Sequence, residues 1–196
     1  MKKKIVVLIS VVAVLCFTFI ACSNHSDTTK SQTNSSANNS SSLVRSYDNL
    51  KDLKKASEII IEAEVTNDQK SFEYEHVTFT SSKVKVLKVH KGNVKESDIL
   101  NILESGGISK DGFEISQDGV SVIKPSEHYL LFLYKYIGPV VTETNYQALG
   151  CYQGKFKIEK DNKVKQTAPD AAKTKDIEND ILLDELVTKM KDTKED

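Results

Sequence analysis

Phe72-Glu73-Tyr74-Glu75-His76-Val77-Thr78-Phe79-Thr80-Ser81-Ser82-Lys83-Val84-Lys85-Val86-Leu87-Lys88-Val89-His90 is the stretch on which the fold class turns. It is rich in β-branched and aromatic residues and contains neither Gly nor Pro, so it reads as strand. It is too long for one flat strand. Val77 and Phe79 set one side-chain phase and Val84 and Val86 the other, which places a change of face near Ser81-Ser82 by a bulge or sharp bend. Strands that bend and serve two halves of a sheet are a device of small closed barrels.

The flanks support a β-rich body. Upstream, Glu58 to Thr66 alternates, with Ile59, Ile61, Ala63 and Val65 facing inward, and Asn67-Asp68-Gln69-Lys70 reads as the turn. Before it, Leu43, Tyr47, Leu50, Leu53 and Ala56 recur at helical spacing, with Ser46 as N-cap and an end near Ser57. Downstream, Lys91-Gly92-Asn93 stops the long strand, Asp98 to Leu103 supplies another, and Gly106-Gly107 breaks it. Residues 108–127 carry short strand signals at Phe113-Glu114-Ile115 and Val120-Ser121-Val122 and are expected to cross one end of the barrel.

Tyr129 to Tyr134 is apolar on both phases, as a strand covered on each face must be. Tyr146 to Leu149 and Lys155 to Glu159 read as two further strands, and Asp161-Asn162 as a turn leading to Val164. After Pro169 the spacing becomes helical again. Ile177, Ile181, Leu182, Leu186 and Met190 line one face, with Asp176 as the cap. The expected fold is mainly β: a small β-barrel over residues 43–167 with an N-terminal helix, followed by a C-terminal amphipathic, acidic helix over residues 168–196.

The N-terminus speaks to the compartment. Met1-Lys2-Lys3-Lys4 precedes an apolar run from Ile5 to Ile20, then Ala21-Cys22 and an abruptly polar stretch. A basic segment, an apolar segment and small residues at its end describe an export signal. Phe19-Ile20-Ala21-Cys22 resembles the lipobox of bacterial lipoprotein signal peptides, with Phe19 where Leu is usual. That resemblance implies a signal peptide over residues 1–21, acyl chains such as palmitate on Cys22, and a chain anchored outside the cytoplasm at the cell membrane. Residues 22–42 are Ser/Asn/Thr-rich with almost no apolar content and are read as a disordered tether.

Of the three Cys, Cys16 lies in the signal and Cys22 carries the lipid, which leaves Cys151 alone and no intramolecular disulfide in the mature chain. With no Cys-His signature around it, Cys151 is expected to be a small buried hydrophobe. Lys+Arg number 27 against 28 Asp+Glu, so neither the basic field of a nucleic-acid binder nor the acidic excess of a solvating disordered chain is present. The acidic residues concentrate at the end: residues 43–167 carry 18 basic against 18 acidic side chains and residues 168–196 carry 5 against 9.

The order of "SEIIIEAEV", a long strand ending in "KVLKVHKG", then "ILNILESGG", "EHYLLFL" and "YQGKFKI" resembles that of small lipoproteins of low-GC Gram-positive bacteria. It is similar, more distantly, to the OB-like barrel of netrin-like domains and tissue inhibitors of metalloproteinases, over roughly residues 57–165. The inhibitors' protease contact is not implied. It needs a disulfide-linked N-terminal Cys with a free amino group, whereas Cys22 is expected to be acylated and set apart by a tether.

No catalytic motif is legible. His25, His76, His90 and His128 lack metal-ligand spacing, and strand alternation sends Glu73 and Glu75 to one face and His76 to the other. Gly106-Gly107 lacks the Lys-Ser/Thr of a P-loop and reads as a turn at the rim. Lys83, Lys85, Lys88, Lys91 and Lys95 read as a solvated strand face, and Tyr129, Tyr134, Tyr136, Tyr146 and Tyr152 as core and rim packing. No catalytic residue, metal site or cofactor is therefore expected. The expected function is a non-enzymatic binding module of the envelope, whose partner is an envelope protein or wall component. The alternatives are a small-ligand sensor, or an enzyme or enzyme inhibitor built on rim loops 105–127 and 136–154.

Overall fold

A computed structural model describes residues 37–39 and 45–194. The chain begins with β1 (Ala37–Asn39) and α1 (Leu50–Ala56), followed by the long strands β2 (Ile59–Tyr74) and β3 (Val77–Lys91). Next come β4 (Ile99–Ser105), β5 (Gly107–Ile108), β6 (Glu114–Gln117), β7 (His128–Lys135) and β8 (Tyr146–Ala148). The chain ends with β9 (Lys155–Ile158), β10 (Lys163–Gln166), a 3-10 turn (Asp170–Ala172), β11 (Ile181–Leu182) and α2 (Leu183–Asp192). Within the segment expected as a tether, Ala37–Asn39 thus pairs as a strand.

The long hairpin differs from expectation in two places. Glu75 and His76, both at positive φ (47° and 67°), form its two-residue turn, whose twist matches that of the strands. At Asn67–Lys70 the chain continues as strand, and the register slips between Val65 and Gln69. The face does not change at Ser81-Ser82 either. Thr78, Thr80, Ser82, Val84 and Val86 are all buried in one unbroken phase, while Val77 is 40% exposed.

The apolar pattern misleads here because the buried side is polar and satisfied. Thr80 Oγ1 donates to the Gly106 carbonyl at 2.7 Å, and Gln69 Nε2 donates to Ser82 Oγ at 2.8 Å. The change of face comes later, where the register slips between Glu62 and Ala63 and again between Ile60 and Ile61. Leu87 is the extra residue at the first slip and turns outward. Val89 then packs back against the core.

An eight-stranded mixed sheet runs in the order β11-β10-β9-β7-β2-β3-β4-β8. β8 pairs with β4 in parallel and with β7 antiparallel, so the pairings pass from β7 through β2, β3, β4 and β8 back to β7 as a partial ring. Strand alternation then divides the core in two. Ile59, Ile61, Ala63 and Val65 of β2 meet Val84, Val86, Ile102, Tyr129, Leu131 and Leu133 on one face. Ile60, Leu130, Phe132 and Phe156 point the other way, towards Leu50, Leu53, Leu183, Leu186, Val187 and Met190 of the two helices. β7 is buried on both faces, as its doubly apolar sequence requires, and each such side chain contributes roughly 1.5–3 kcal/mol.

The helices are shorter than the spacing predicts. Asn49, not Ser46, caps α1, accepting from the Asp52 N–H at 2.8 Å, and Tyr47 lies before the helix yet is buried. α2 starts at Leu183, and Ile177 packs from a loop. Asp176 caps the other helix: its carboxylate accepts from the Leu50 N–H at 2.9 Å across the sheet face. Among the described residues no helix is long and apolar enough to cross a membrane.

Candidate functional site

A groove of about 390 Å³ is lined by Arg45, Tyr47, Ala56, Tyr134, Leu149, Gly150 and Cys151. Its volume falls in the range of small-molecule sites. One wall is the end of α1 with the residues leading into it; the other is β7 with the turn 149–154. That turn is held at both ends by one residue: the Leu149 N–H donates to the Phe132 carbonyl at 3.0 Å, and the Phe132 N–H donates to the Gly154 carbonyl at 2.8 Å. Gly150 and Cys151 at its tip take positive φ, 57° and 61°. A Cβ on Gly150 would lie 2.5 Å from Gln153 Oε1, so that position needs glycine for both conformation and space.

Gln153 joins the two walls. Its buried amide accepts from the Tyr47 N–H at 3.0 Å and donates to the carbonyls of Tyr47 and Ala172, copying a backbone pairing with side-chain atoms. Tyr47 is thereby fixed, and the Arg45 guanidinium sits 5.4 Å from the centre of its ring, a cation-π distance. Tyr134 donates to Gln147 Oε1 at 2.6 Å. Burial raises the Tyr134 hydroxyl above the ordinary tyrosine value, so it stays a donor at neutral pH. The groove therefore offers aromatic and aliphatic walls, a hydroxyl and amide pair, and one guanidinium at its lip.

Two narrow clefts share Cys151 with the groove, and here the rim loops singled out in the sequence come together. Glu104, Ser105 and Gln117 line both clefts, with Gln147 and Ala148 completing one and Tyr152 and Lys155 the other. Tyr152 donates to Asp118 across the two loops at 3.1 Å, and burial together with that bond pushes its hydroxyl up to about 12. Beneath lies a charge pair. Lys155 Nζ stands 2.8 Å from Glu104 Oε1, with side chains 4% and 6% exposed, and both have further partners: the Ser121 carbonyl for Lys155 and the Ile123 N–H for Glu104. Each ion is paired and hydrogen-bonded, as buried charges must be.

Cys151 is exposed and free, contrary to the expected buried hydrophobe, because it sits at the tip of the 149–154 turn rather than within a strand. None of the described histidines lines the groove or its clefts. His90 is held by Glu62 at 2.8 Å, and that hydrogen bond lowers the Glu62 carboxyl below its ordinary value. His76 forms the hairpin turn and His128 begins β7. Glu73 pairs with Lys110, and no group of three or more His, Cys, Asp or Glu converges on a common point among the described residues.

Gly107 packs against the hydroxyls of Thr80 and Ser71, which leave no room there for a Cβ, and its φ of 113° suits glycine. The lysine stretch is drawn into local pairs, Lys83 with Asp68 and Lys88 with Glu62. Cys22 and His25 lie outside the described residues. Arg45, Gln153 and the Glu104–Lys155 pair escape a reading of the sequence. The one available signal was Glu104, a lone acid at the end of the apolar Ile102-Leu103. Comparison of the chain with protein-family models, with curated proteins and with solved structures gives no match.

Proposed function

We propose that this protein is a lipid-anchored binding module of the cell envelope, held at the outer face of the membrane by acyl chains on Cys22 and taking its ligand in the Arg45–Tyr134–Cys151 groove. We read the partial ring as an OB-like barrel. In support, its five strands follow one another round the ring as first, second, third, fifth and fourth in chain order, with the third and fifth parallel, and OB-like barrels are five-stranded and partly open. The likeness to small lipoproteins of low-GC Gram-positive bacteria belongs to the same reading.

The observation that carries the binding reading is the groove itself: a half-open, largely apolar concavity on a rigid turn, with a single guanidinium at its lip. Its chemistry suits an envelope protein segment or wall component that has an apolar body and an anionic group. Crosslinked capture with the full chain from intact cells recovers such a component, and Arg45→Glu loses it at unchanged melting temperature. Failure of capture together with turnover of a wall or peptide substrate by the purified chain would favour the enzyme reading, which rests on the meeting of the rim loops at Cys151. A small-ligand sensor rests on the groove volume; its signature is a melting temperature that climbs with added ligand.

A further inference from the structure

β5, β6 and β1 form a second, three-stranded sheet in the order β1-β6-β5. β5 pairs antiparallel with β6, Gly107 opposite Ile115 and Ile108 opposite Glu114. β1 lies on the other edge in parallel, with Ala37 opposite Ile115, Asn38 opposite Ser116 and Asn39 opposite Gln117. The backbone bonds say which groups serve which edge. Gln117 exchanges both of its main-chain bonds with Val120 (3.1 and 2.8 Å), and the Phe113 carbonyl accepts from Ser109 at 2.9 Å. Neighbouring residues of a strand direct their N–H and C=O to opposite edges. Phe113, Ile115 and Gln117 therefore serve the β5 side, and Glu114 and Ser116 serve the edge that β1 covers.

That edge is a row of main-chain groups satisfied by a segment reaching β6 from far along the sequence. An open strand edge templates pairing with any extended chain, and proteins cover such edges. The cover here is light: three residue pairs in a parallel ladder, which holds less per residue than an antiparallel one. The covering segment, Ala37-Asn38-Asn39 between serines, is uncharged and small in sequence, and what the ladder itself offers a partner is main-chain pairing. This is the logic of peptide recognition by strand addition.

We propose that the outer edge of β6 is a strand-addition site for an extended peptide of small, uncharged residues, and that Ala37–Asn39 is its built-in occupant. The site is separate from the groove and does not depend on lipid at Cys22. A partner peptide enters by displacing the chain's own strand, so the tether acts as a competitive cover. Because the cover is linked in cis, its effective concentration is of millimolar order, and an incoming peptide must exceed it.

Hydrogen exchange of the Glu114–Gln117 amides in the full chain tests this, with a variant carrying Ala37→Pro and Asn39→Pro, which removes two donors from β1 without touching β6. In the variant, exchange at Ser116 rises by at least about tenfold while the β2 and β7 amides stay protected. A synthetic peptide of residues 33–42 restores the protection in trans, and the unaltered chain needs about tenfold more peptide for the same occupancy. Equal protection of Ser116 in both chains overturns the cover. Lost protection that the peptide does not restore overturns the site.

Discussion

At the scale of single residues, Lys155 and Glu104 form an ion pair that is 4% and 6% exposed. The ammonium and carboxylate tie β9 and β4 to the loop entering β7, since Lys155 also donates to Ser121 and Glu104 accepts from Ile123. Removing one partner strands the other charge where water does not reach it. Lys155→Met is expected to destabilise the fold by about 3–5 kcal/mol, whereas Lys155→Met combined with Glu104→Leu recovers most of that loss, because two apolar groups leave no ion unpaired. Urea titrations of the two variants check this. A single substitution costing under about 1 kcal/mol would mean that the pair is solvated. Neither residue announced the partnership: they lie 51 positions apart, and sequence spacing carries no information about such a pair.

Among the elements, α1 is the one held most from outside. Seven residues are too few to be stable alone. Asn49 satisfies the N–H of Asp52, and Asp176, from the segment before α2, satisfies the N–H of Leu50. Asp176→Ala is expected to cost about 1 kcal/mol of stability and to speed exchange at Leu50 more than at any strand amide, read by hydrogen exchange. If the loss instead appeared within α2, the sequence reading of Asp176 as that helix's own cap would hold.

The same comparison shows what is legible in a sequence. β2, β4, β7 and β9, with Leu50 and Leu53 of α1 and Leu186 and Met190 of α2, follow from periodicity, because apolar side chains recur where water is excluded; Leu182, read as part of the α2 face, precedes that helix and is 43% exposed. Turn and bulge positions in the β2–β3 hairpin do not, because Thr78, Thr80 and Ser82 are buried as hydrogen-bonded hydroxyls while Val77 stays outside. The groove was still less legible. It depends on Gln153 meeting Tyr47 from 106 residues away, and on Phe132 closing the turn that carries Cys151.

For the molecule as a whole, the proposed lipid anchor is weighed against other routes to a membrane. The chain carries a formal net charge of −1, so attraction to anionic lipid headgroups contributes little. The apolar sides of both helices, Leu50 and Leu53 of α1 and Leu183, Leu186, Val187 and Met190 of α2, are already buried against the sheet. On the proposed reading, attachment rests on the lipid at Cys22, just past the export signal, where each buried methylene adds about 0.8 kcal/mol and several chains anchor firmly. Cys22→Ala, or globomycin treatment of cells making the unaltered chain, is expected to leave a larger precursor without fatty-acid label, seen by gel mobility and by incorporation of labelled palmitate. The precursor still sediments with membranes, because its apolar run is uncleaved, so mobility and label rather than fractionation are the deciding measurements. Unchanged mobility with no label on the unaltered chain would show that the run from Ile5 to Ile20 is itself the anchor and that Cys22 is an ordinary thiol.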